Sequence, residues 1–361
     1  MSFVATGLNE RTAVEAHLEP RGVIKGLPVV GIYGKNASGK SDVLRALQDM
    51  ARAVRFARLN RHGIRVDESE QLVPFLFDDR HRNQPTMFEV ELLLHGVRYV
   101  YGLEFGNRRV QAEWLHAYPN GRRQVWFERK GPEETDFRFP GDHLKGPKMA
   151  LVELVRPDTL LLGLVLGVVK HPQLEPVADW FGNAVMTAGS GLGDPGFPRR
   201  FVGRNLARFL AGHYGDQARQ LLVQADLGIS GAEVVEREVG DRIEQVVRLR
   251  HACTAGDYAL PLSEESEGTV SWLSALRKIL PILDRGGLLL YDELTANLHP
   301  QLAAEVIRMF QDPSVNAGAA QLIFTSHDVT TLASAFGAPL LDRDQVWFTE
   351  KAMMEPRICI H

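Results

Sequence analysis

Residues 34–41 read Gly34-Lys35-Asn36-Ala37-Ser38-Gly39-Lys40-Ser41, and no other stretch constrains the fold of this chain as tightly. The pattern is GxxxxGK[ST]. It follows Val29-Val30-Gly31-Ile32-Tyr33, a short apolar run that reads as a buried strand, and it opens a helical pattern from about Lys40 to about Arg61 with Leu44, Leu47 and Met50 on one face. Strand, glycine-rich turn and helix are the context that the motif needs. The glycines let backbone N–H groups close around phosphate oxygens, and the helix N-terminus adds its positive end. Gly34, Asn36, Ala37, Ser38, Gly39, Lys40, Ser41 and Asp42 are therefore the expected nucleotide-binding residues. Lys40 is expected to reach the β- and γ-phosphates of ATP, and Ser41 to ligate Mg²⁺. The fold class expected is α/β, a P-loop NTPase.

A second half of the site lies far downstream. Leu288-Leu289-Leu290-Tyr291 is an apolar strand that ends in Asp292 and Glu293. Asp292 is the expected Mg²⁺ partner, since a hard cation takes oxygen ligands, and Glu293 the base that polarises the attacking water. Thr325-Ser326-His327 follows another apolar run, where His327 is placed to contact the γ-phosphate. Ahead of the acids, Ser266 and Gly268 open an amphipathic helix and form another anion-binding corner. Two phosphate-binding helix ends on one chain do not easily serve one nucleotide. The natural solution is that this corner closes over the nucleotide of a second copy; a plain capping segment is the simpler alternative.

The remaining chain fills in a frame. Residues 87–130 alternate as an antiparallel meander with turns at His95-Gly96 and Gly106-Asn107. Residues 148–224 show helical periodicity, interrupted by a Gly/Pro-rich loop over 188–198, and strand patterns return from Ile229. Hydrophobic residues make up 45% of the 361 and charged residues 24%, with a formal net charge of −4. That balance supports a sizeable core and gives no global basic field for nucleic acid. The two cysteines, Cys253 and Cys359, lack metal-ligand spacing and fit a reducing compartment. Without a leader-like start or a long apolar run, the expectation is a cytoplasmic protein with no membrane span. Arg52, Arg55, Arg58, Arg61 and Arg65 could form a phosphate-contacting stripe, and Arg199, Arg200, Arg204 and Arg208 a second cluster. A solvated helix face is the plainer account of both. Trp114, Trp126 and Trp180 read as core, and His251 beside Cys253 lacks partners for zinc.

With GIYGKNASGKS, PTMFEVELLLHGVRYVYGLEF, AEWLHAYPNGRRQVWFER, SEGT, LLLYDELTANLHPQL, QLIFTSHD and LDRDQVWFTEK on the page, the sequence resembles the ABC-type ATPases of the SMC/RecF/OLD branch, most of all the RloA-like AAA family ATPases linked to abortive infection and restriction loci. The resemblance covers about Val29 to Lys351. It implies an ABC-type head with an antiparallel β-subdomain and a helical insertion, a signature at Ser266 to Thr269, a dimer-seam segment at Asn297-Leu298-His299-Pro300, and Asp344-Gln345 near the last strand. Residues 1–28 match it poorly, and Gln173 is a poor substitute for the glutamine that such sequences carry after a segment like 159–163. The division expected is 1–147 for an N-terminal lobe, 148–227 for the insertion and 228–361 for a C-terminal lobe.

The function implied is ATP hydrolysis in a two-copy sandwich that switches a separate effector, a nuclease or toxin, in anti-phage defence or a toxin–antitoxin-like pair. The chain ends thirty-four residues after His327, so the effector is expected on another protein. Two rivals stay open: a DNA-binding repair or recombination ATPase similar to RecF, with nucleic acid as partner, and a scaffold that holds ATP without hydrolysing it.

Overall fold

The computed structural model describes residues 2–6, 12–18, 22–60, 84–106, 109–133, 136–167, 169–189, 199–225, 228–239, 242–253, 256–329, 339–351 and 358–360. Strands β1 (Val14–His17) and β2 (Val23–Gly26) form an antiparallel hairpin, to which Val4 adds a bridge at Gly26. β3 (Val29–Tyr33) leads into the P-loop and the helix Lys40–Asn60. β4 (Thr86–Leu94), β5 (Val97–Gly106), β6 (Arg109–Ala117), β7 (Gln124–Lys130) and β8 (Phe137–Arg138) pair in sequence order as one antiparallel sheet. β9 (Val185–Gly189) belongs to the central sheet. β10 (Ile229–Val239), β11 (Arg242–Cys253) and β12 (Gly256–Pro261) make a third antiparallel sheet. β13 (Leu288–Asp292), β14 (Gln321–Ser326), β15 (Val346–Lys351) and β16 (Ile358–Ile360) complete the central sheet in the order β16-β15-β3-β14-β13-β9.

The central strands from β15 to β9 run parallel, and helices cover both faces, which is why VVGIY, LLLYD and LIFT are almost uninterrupted apolar runs. Alternate side chains divide the core. Tyr33, Leu289, Leu322 and Phe324 face one cluster with Trp272 and Ile307 of the helices Glu267–Arg285 and Pro300–Gln311. Val30, Ile32, Leu290 and Ile323 face the other, with Leu44 and Val54 of the P-loop helix. Strand polarity gathers the C-terminal ends of β3, β13, β14 and β9 on one rim, where a parallel sheet places its ligands.

The stretch 148–227 is less helical than its periodicity suggests. Lys148–Val152, Leu161–Val165 and Glu175–Asp179 are five-residue turns of helix, and Trp180–Ala184 is a π-turn. Val185–Gly189 then leaves helix altogether and pairs with β13 in parallel register, Leu288 with Val185 through to Asp292 with Gly189. A five-residue buried run such as VMTAG carries too few positions to separate a period of 2 from one of 3.6. Among the described residues of this stretch, only Arg199–Leu210 and Gly215–Gln224 are longer helices. Residues 190–198 of the expected glycine-rich loop, and Asn107 of the second expected turn, lie outside the described residues. Residues 2–26, without a strand expectation, supply β1 and β2, and Thr6 fastens to the C-terminal lobe: its N–H and Oγ1 both donate to Asp344 Oδ2 at 2.7 Å.

A buried charge pair ties the antiparallel sheet to the segment behind it. Glu113 on β6 and Arg129 on β7 stand opposite each other and are 0% and 1% exposed. Glu113 accepts from Tyr101 Oη at 2.9 Å and from the N–H groups of Leu161 and Leu162 at 2.8 and 3.1 Å. Arg129 donates to the carbonyls of Gly131, Thr159, Pro132 and Arg156. Burial pushes the Glu113 pKa up, against the opposing pull of Arg129 and the two amides, and lowers that of Arg129. Glu113→Ala leaves the buried Leu161 and Leu162 amides and the Tyr101 hydroxyl without their acceptor, so a loss of about 1–3 kcal/mol or more in urea-measured stability is expected. Because the folded state raises the Glu113 pKa, its contribution is complete below the ordinary glutamate range of about 4.3 and is lost as pH rises through the raised value. Glu113→Gln should flatten that part of the stability–pH curve; an unchanged curve would remove Glu113 as its source.

Candidate nucleotide site

The P-loop is held open by its own backbone and by a distant strand. Ala37 and Gly39 have φ of 60° and 94°, the left-handed turns that point successive N–H groups into a concave nest. Gly34 cannot carry a side chain, since a Cβ there would lie 2.5 Å from Thr349 Oγ1 and 2.6 Å from the Thr349 carbonyl. Thr349, on β15, also shares a hydrogen bond of 2.7 Å with Ser38 Oγ. Asn36 and Ala37 lie exposed at the lip, whereas Ser38 and Lys40 are 6% and 4% exposed. Asp42, in the first helical turn, points to solvent and meets Arg45 at 3.3 Å.

Lys40 Nζ donates to the carbonyls of Gly34 and Lys35 at 2.9 and 3.1 Å and lies 3.8 Å from Glu293 Oε1. An ammonium in that position spans the mouth of the loop, where phosphate oxygens can replace the two carbonyls. Ser41 Oγ donates to Asp292 Oδ1 at 2.8 Å, and Thr325 Oγ1 donates to the same oxygen at 2.7 Å. The donor set suits Mg²⁺: a hydroxyl and one carboxylate, both hard oxygens, with the rest of the shell left to water and phosphate. Among the described residues no group of three or more His, Cys, Asp or Glu side chains is gathered for another metal.

Glu293 sits in the left-handed region, φ 52° and ψ 58°, at a cost of about 1–3 kcal/mol for a non-glycine residue. Its neighbours over-determine it. Its N–H donates to Thr325 Oγ1 at 2.8 Å, and its carbonyl accepts from Asn297 Nδ2 at 2.8 Å. His327 Nδ1 lies 2.8 Å from Glu293 Oε2, and the adjacent Ser326 Oγ bonds Thr295 Oγ1 at 2.8 Å. The structure thus brings Lys40, Ser41, Asp292, Glu293 and His327 together. Gly189, at the end of β9, faces Asp292 so closely that a Cβ would lie 2.0 Å from the Asp292 carbonyl.

Ser266 and Gly268 stand at a separate place, the start of the helix Glu267–Arg285. Ser266 is its N-cap, accepting from Thr269 N–H at 3.1 Å, and nothing but Ser266 Oγ, at 3.7 Å, lies near the position of a Gly268 Cβ. Gln173 accepts from Lys145 N–H and donates to the His143 carbonyl, a loop-packing role. Two residues that hold the site, Thr325 and Thr349, lie inside the stretches QLIFTSHD and LDRDQVWFTEK but carry no role that their sequence context assigns. The only available signal for Thr325 was a hydroxyl in the apolar run LIFT, one residue ahead of Ser326.

The arginine stripe does not form one surface. Arg52 pairs with Asp49 at 3.7 Å on the surface, but Arg55 turns inward. Its Nε donates to the Phe181 carbonyl at 2.8 Å and its NH2 nitrogen to the Val185 carbonyl at 2.6 Å, and burial lowers its pKa. The side chain of Arg58, and Arg61 and Arg65 entirely, lie outside the described residues. In the second cluster Arg204 pairs with Glu244 at 3.1 Å and Arg208 is exposed, while the side chains of Arg199 and Arg200 lie outside the described residues. Trp126 is buried, and Trp114 lays its ring over Gly102 of the neighbouring strand while Nε1 donates to Glu89. His251 bonds Glu265, 2.7 Å away.

The sequence matches the family described as "AAA domain, putative AbiEii toxin, Type IV TA system" over residues 29–151 and 212–333. The match spans more than half of the chain, so the chain belongs to this family of nucleotide-binding P-loop ATPases. No curated protein matches it. Similar solved structures include an Smc head bound to the C-terminal winged-helix domain of ScpA, at 13% identity, a TM-score of 0.36 and 97% coverage of both chains. Another is the Pyrococcus furiosus Smc head with an extended coiled coil, bound to the C-terminal domain of ScpA, at 13% identity, a TM-score of 0.36 and coverage of 97% of this chain and 96% of that one. No helix among the described residues is long and apolar enough to cross a membrane.

If Arg55 is structural, Arg55→Ala should cost about 1.5–3 kcal/mol in urea-measured stability, the range for hydrogen bonds from a charged group. Arg52→Ala, on the exposed face, should stay within about 0.5 kcal/mol of wild type. Equal effects of the two changes would restore the stripe as one surface.

Proposed function

We propose that this member of the AbiEii-like AAA family hydrolyses ATP with Mg²⁺ in a site completed by a second copy, and that the cycle switches a separate effector. The observation that carries the reading is the convergence of Lys40, Ser41, Asp292, Glu293 and His327 on one rim of the parallel sheet, joined through Thr325 by a chain of contacts each shorter than 4 Å. Lys40 and the P-loop amides hold the β- and γ-phosphates. Ser41 and Asp292 are the residues that would hold Mg²⁺, which supplies charge neutralisation at the phosphate oxygens. Glu293 takes a proton from water as the water oxygen bonds to the γ-phosphorus. The bond from that phosphorus to the bridging oxygen breaks, leaving ADP and inorganic phosphate. His327, hydrogen-bonded to Glu293, orients the base and lies where the γ-phosphate is sensed.

The second copy enters through Ser266 and Gly268. Their helix end is open and its side-chain partners are local, which suits a phosphate presented from another chain. Asn297-Leu298-His299-Pro300 comes one helical turn after the acids and is the seam we assign between copies. The family description names a toxin and a type IV toxin–antitoxin system, and this favours a cytosolic effector of the nuclease or toxin kind in phage defence. Among the described residues Arg55 leaves the arginine stripe and nothing specific favours a DNA-dependent repair enzyme, and the paired acids Asp292 and Glu293 argue against a scaffold that never hydrolyses ATP.

Light scattering after gel filtration tests the reading on Glu293→Gln, which should bind ATP while its turnover falls by about 10²–10⁴. Mg²⁺-ATP should double the mass of that variant, and Ser266→Arg should abolish the doubling. A mass indifferent to ATP would sink the two-copy switch.

A further inference from the structure

We propose that Thr325 is a positioning residue for ATP hydrolysis, acting through both acids at once; this rests on the ATPase reading above. Parallel register pairs Tyr291 with Phe324, so the next residue along β14 stands beside Asp292. Thr325 is 0% exposed, and its hydroxyl is used in both directions. It donates to Asp292 Oδ1 at 2.7 Å and accepts the Glu293 N–H at 2.8 Å. One oxygen atom thereby fixes where the Asp292 carboxylate points and how the peptide between Asp292 and Glu293 is turned.

Both settings matter for the chemistry. The Asp292 oxygen held by Thr325 is the one that Ser41 also reaches, at 2.8 Å. The Glu293 peptide lies in the left-handed region, φ 52°, which a glutamate adopts only when its surroundings hold it there. The side-chain direction of Glu293, and hence the place of its carboxylate between Lys40 and His327, follows from that backbone. The β-branched side chain has a restricted χ1 and keeps the hydroxyl in place. The same strand end continues into Ser326, bonded to Thr295, and His327, bonded to Glu293. Three successive residues of β14 and its exit thus grip the end of β13 and the segment that follows it; Thr325 and Ser326 are buried, and Thr325 is the one that reaches both acids.

The test is steady-state ATP turnover by Thr325→Val and Thr325→Ser beside wild type, with the Mg²⁺ concentration varied. Valine keeps the shape and removes the hydroxyl. Its kcat should fall about 10–100-fold, the scale of an ångström-sized misplacement of a reacting group, with KM for ATP within about twofold because Lys40 and the P-loop are untouched. Half-saturation by Mg²⁺ should move upward. Thr325→Ser, which restores the hydroxyl, should recover to within about threefold of wild type. A valine variant with wild-type kcat, or a serine variant as slow as valine, overturns the proposal. Wild-type protein that turns over no ATP overturns the ATPase reading itself; a wild-type rate with an unaffected valine variant overturns only the role of Thr325.

Discussion

One carboxylate oxygen, Asp292 Oδ1, is where the molecule is tied together. It accepts the hydroxyls of Ser41, 251 positions earlier in the chain, and Thr325, 33 positions later. Each donor sits at the end of a different parallel strand or at the helix start that follows one. The arrangement exists only if β3, β13 and β14 lie side by side in register. Hydroxyl–carboxylate hydrogen bonds in a buried setting are short and directional, so the oxygen reports the sheet geometry closely. The left-handed Glu293, the hydrogen bond to His327 and the placement of Lys40 all refer back to this point.

The central strands and the site differ in how far the sequence exposes them. VVGIY, LLLYD and LIFT are legible because a parallel strand covered on both faces must be apolar throughout, and the P-loop because phosphate binding demands its glycines, lysine and serine at fixed spacing. β9 is not legible, since Val185 to Gly189 follow a π-turn in a segment whose periodicity continues that of the preceding helical turns. Arg55 misleads for a related reason. Its three-residue spacing from Arg52 looks like a solvated face, yet the carbonyls of Phe181 and Val185 arrive from a part of the chain that local pattern cannot see. Thr325 and Thr349 act by reaching across strands, and threonine is ordinary in any strand.

Glu113 and Arg129 play a different part. Buried charged groups are weak sources of net stability but strict about their surroundings, because any misfit leaves a charge without the polar groups that satisfy it. Here Glu113 receives the first amides of the short helix at Leu161, and Arg129 takes the carbonyls of Arg156 and Thr159. The antiparallel sheet and the segment behind it are therefore locked in one relative position, a requirement for any motion at the rim to be transmitted instead of absorbed.

The contact between Ser38 and Thr349 spans 311 positions. The phosphate loop is made well before the strand that buttresses it, since Thr349 follows Ser38 by 311 positions. Until β15 has left the ribosome and docked beside β3, the loop lacks the wall against which Gly34 and Ser38 rest. A nascent chain therefore carries the whole P-loop motif without a finished nucleotide pocket. The loop thus reaches its finished form only once β15 has docked beside β3.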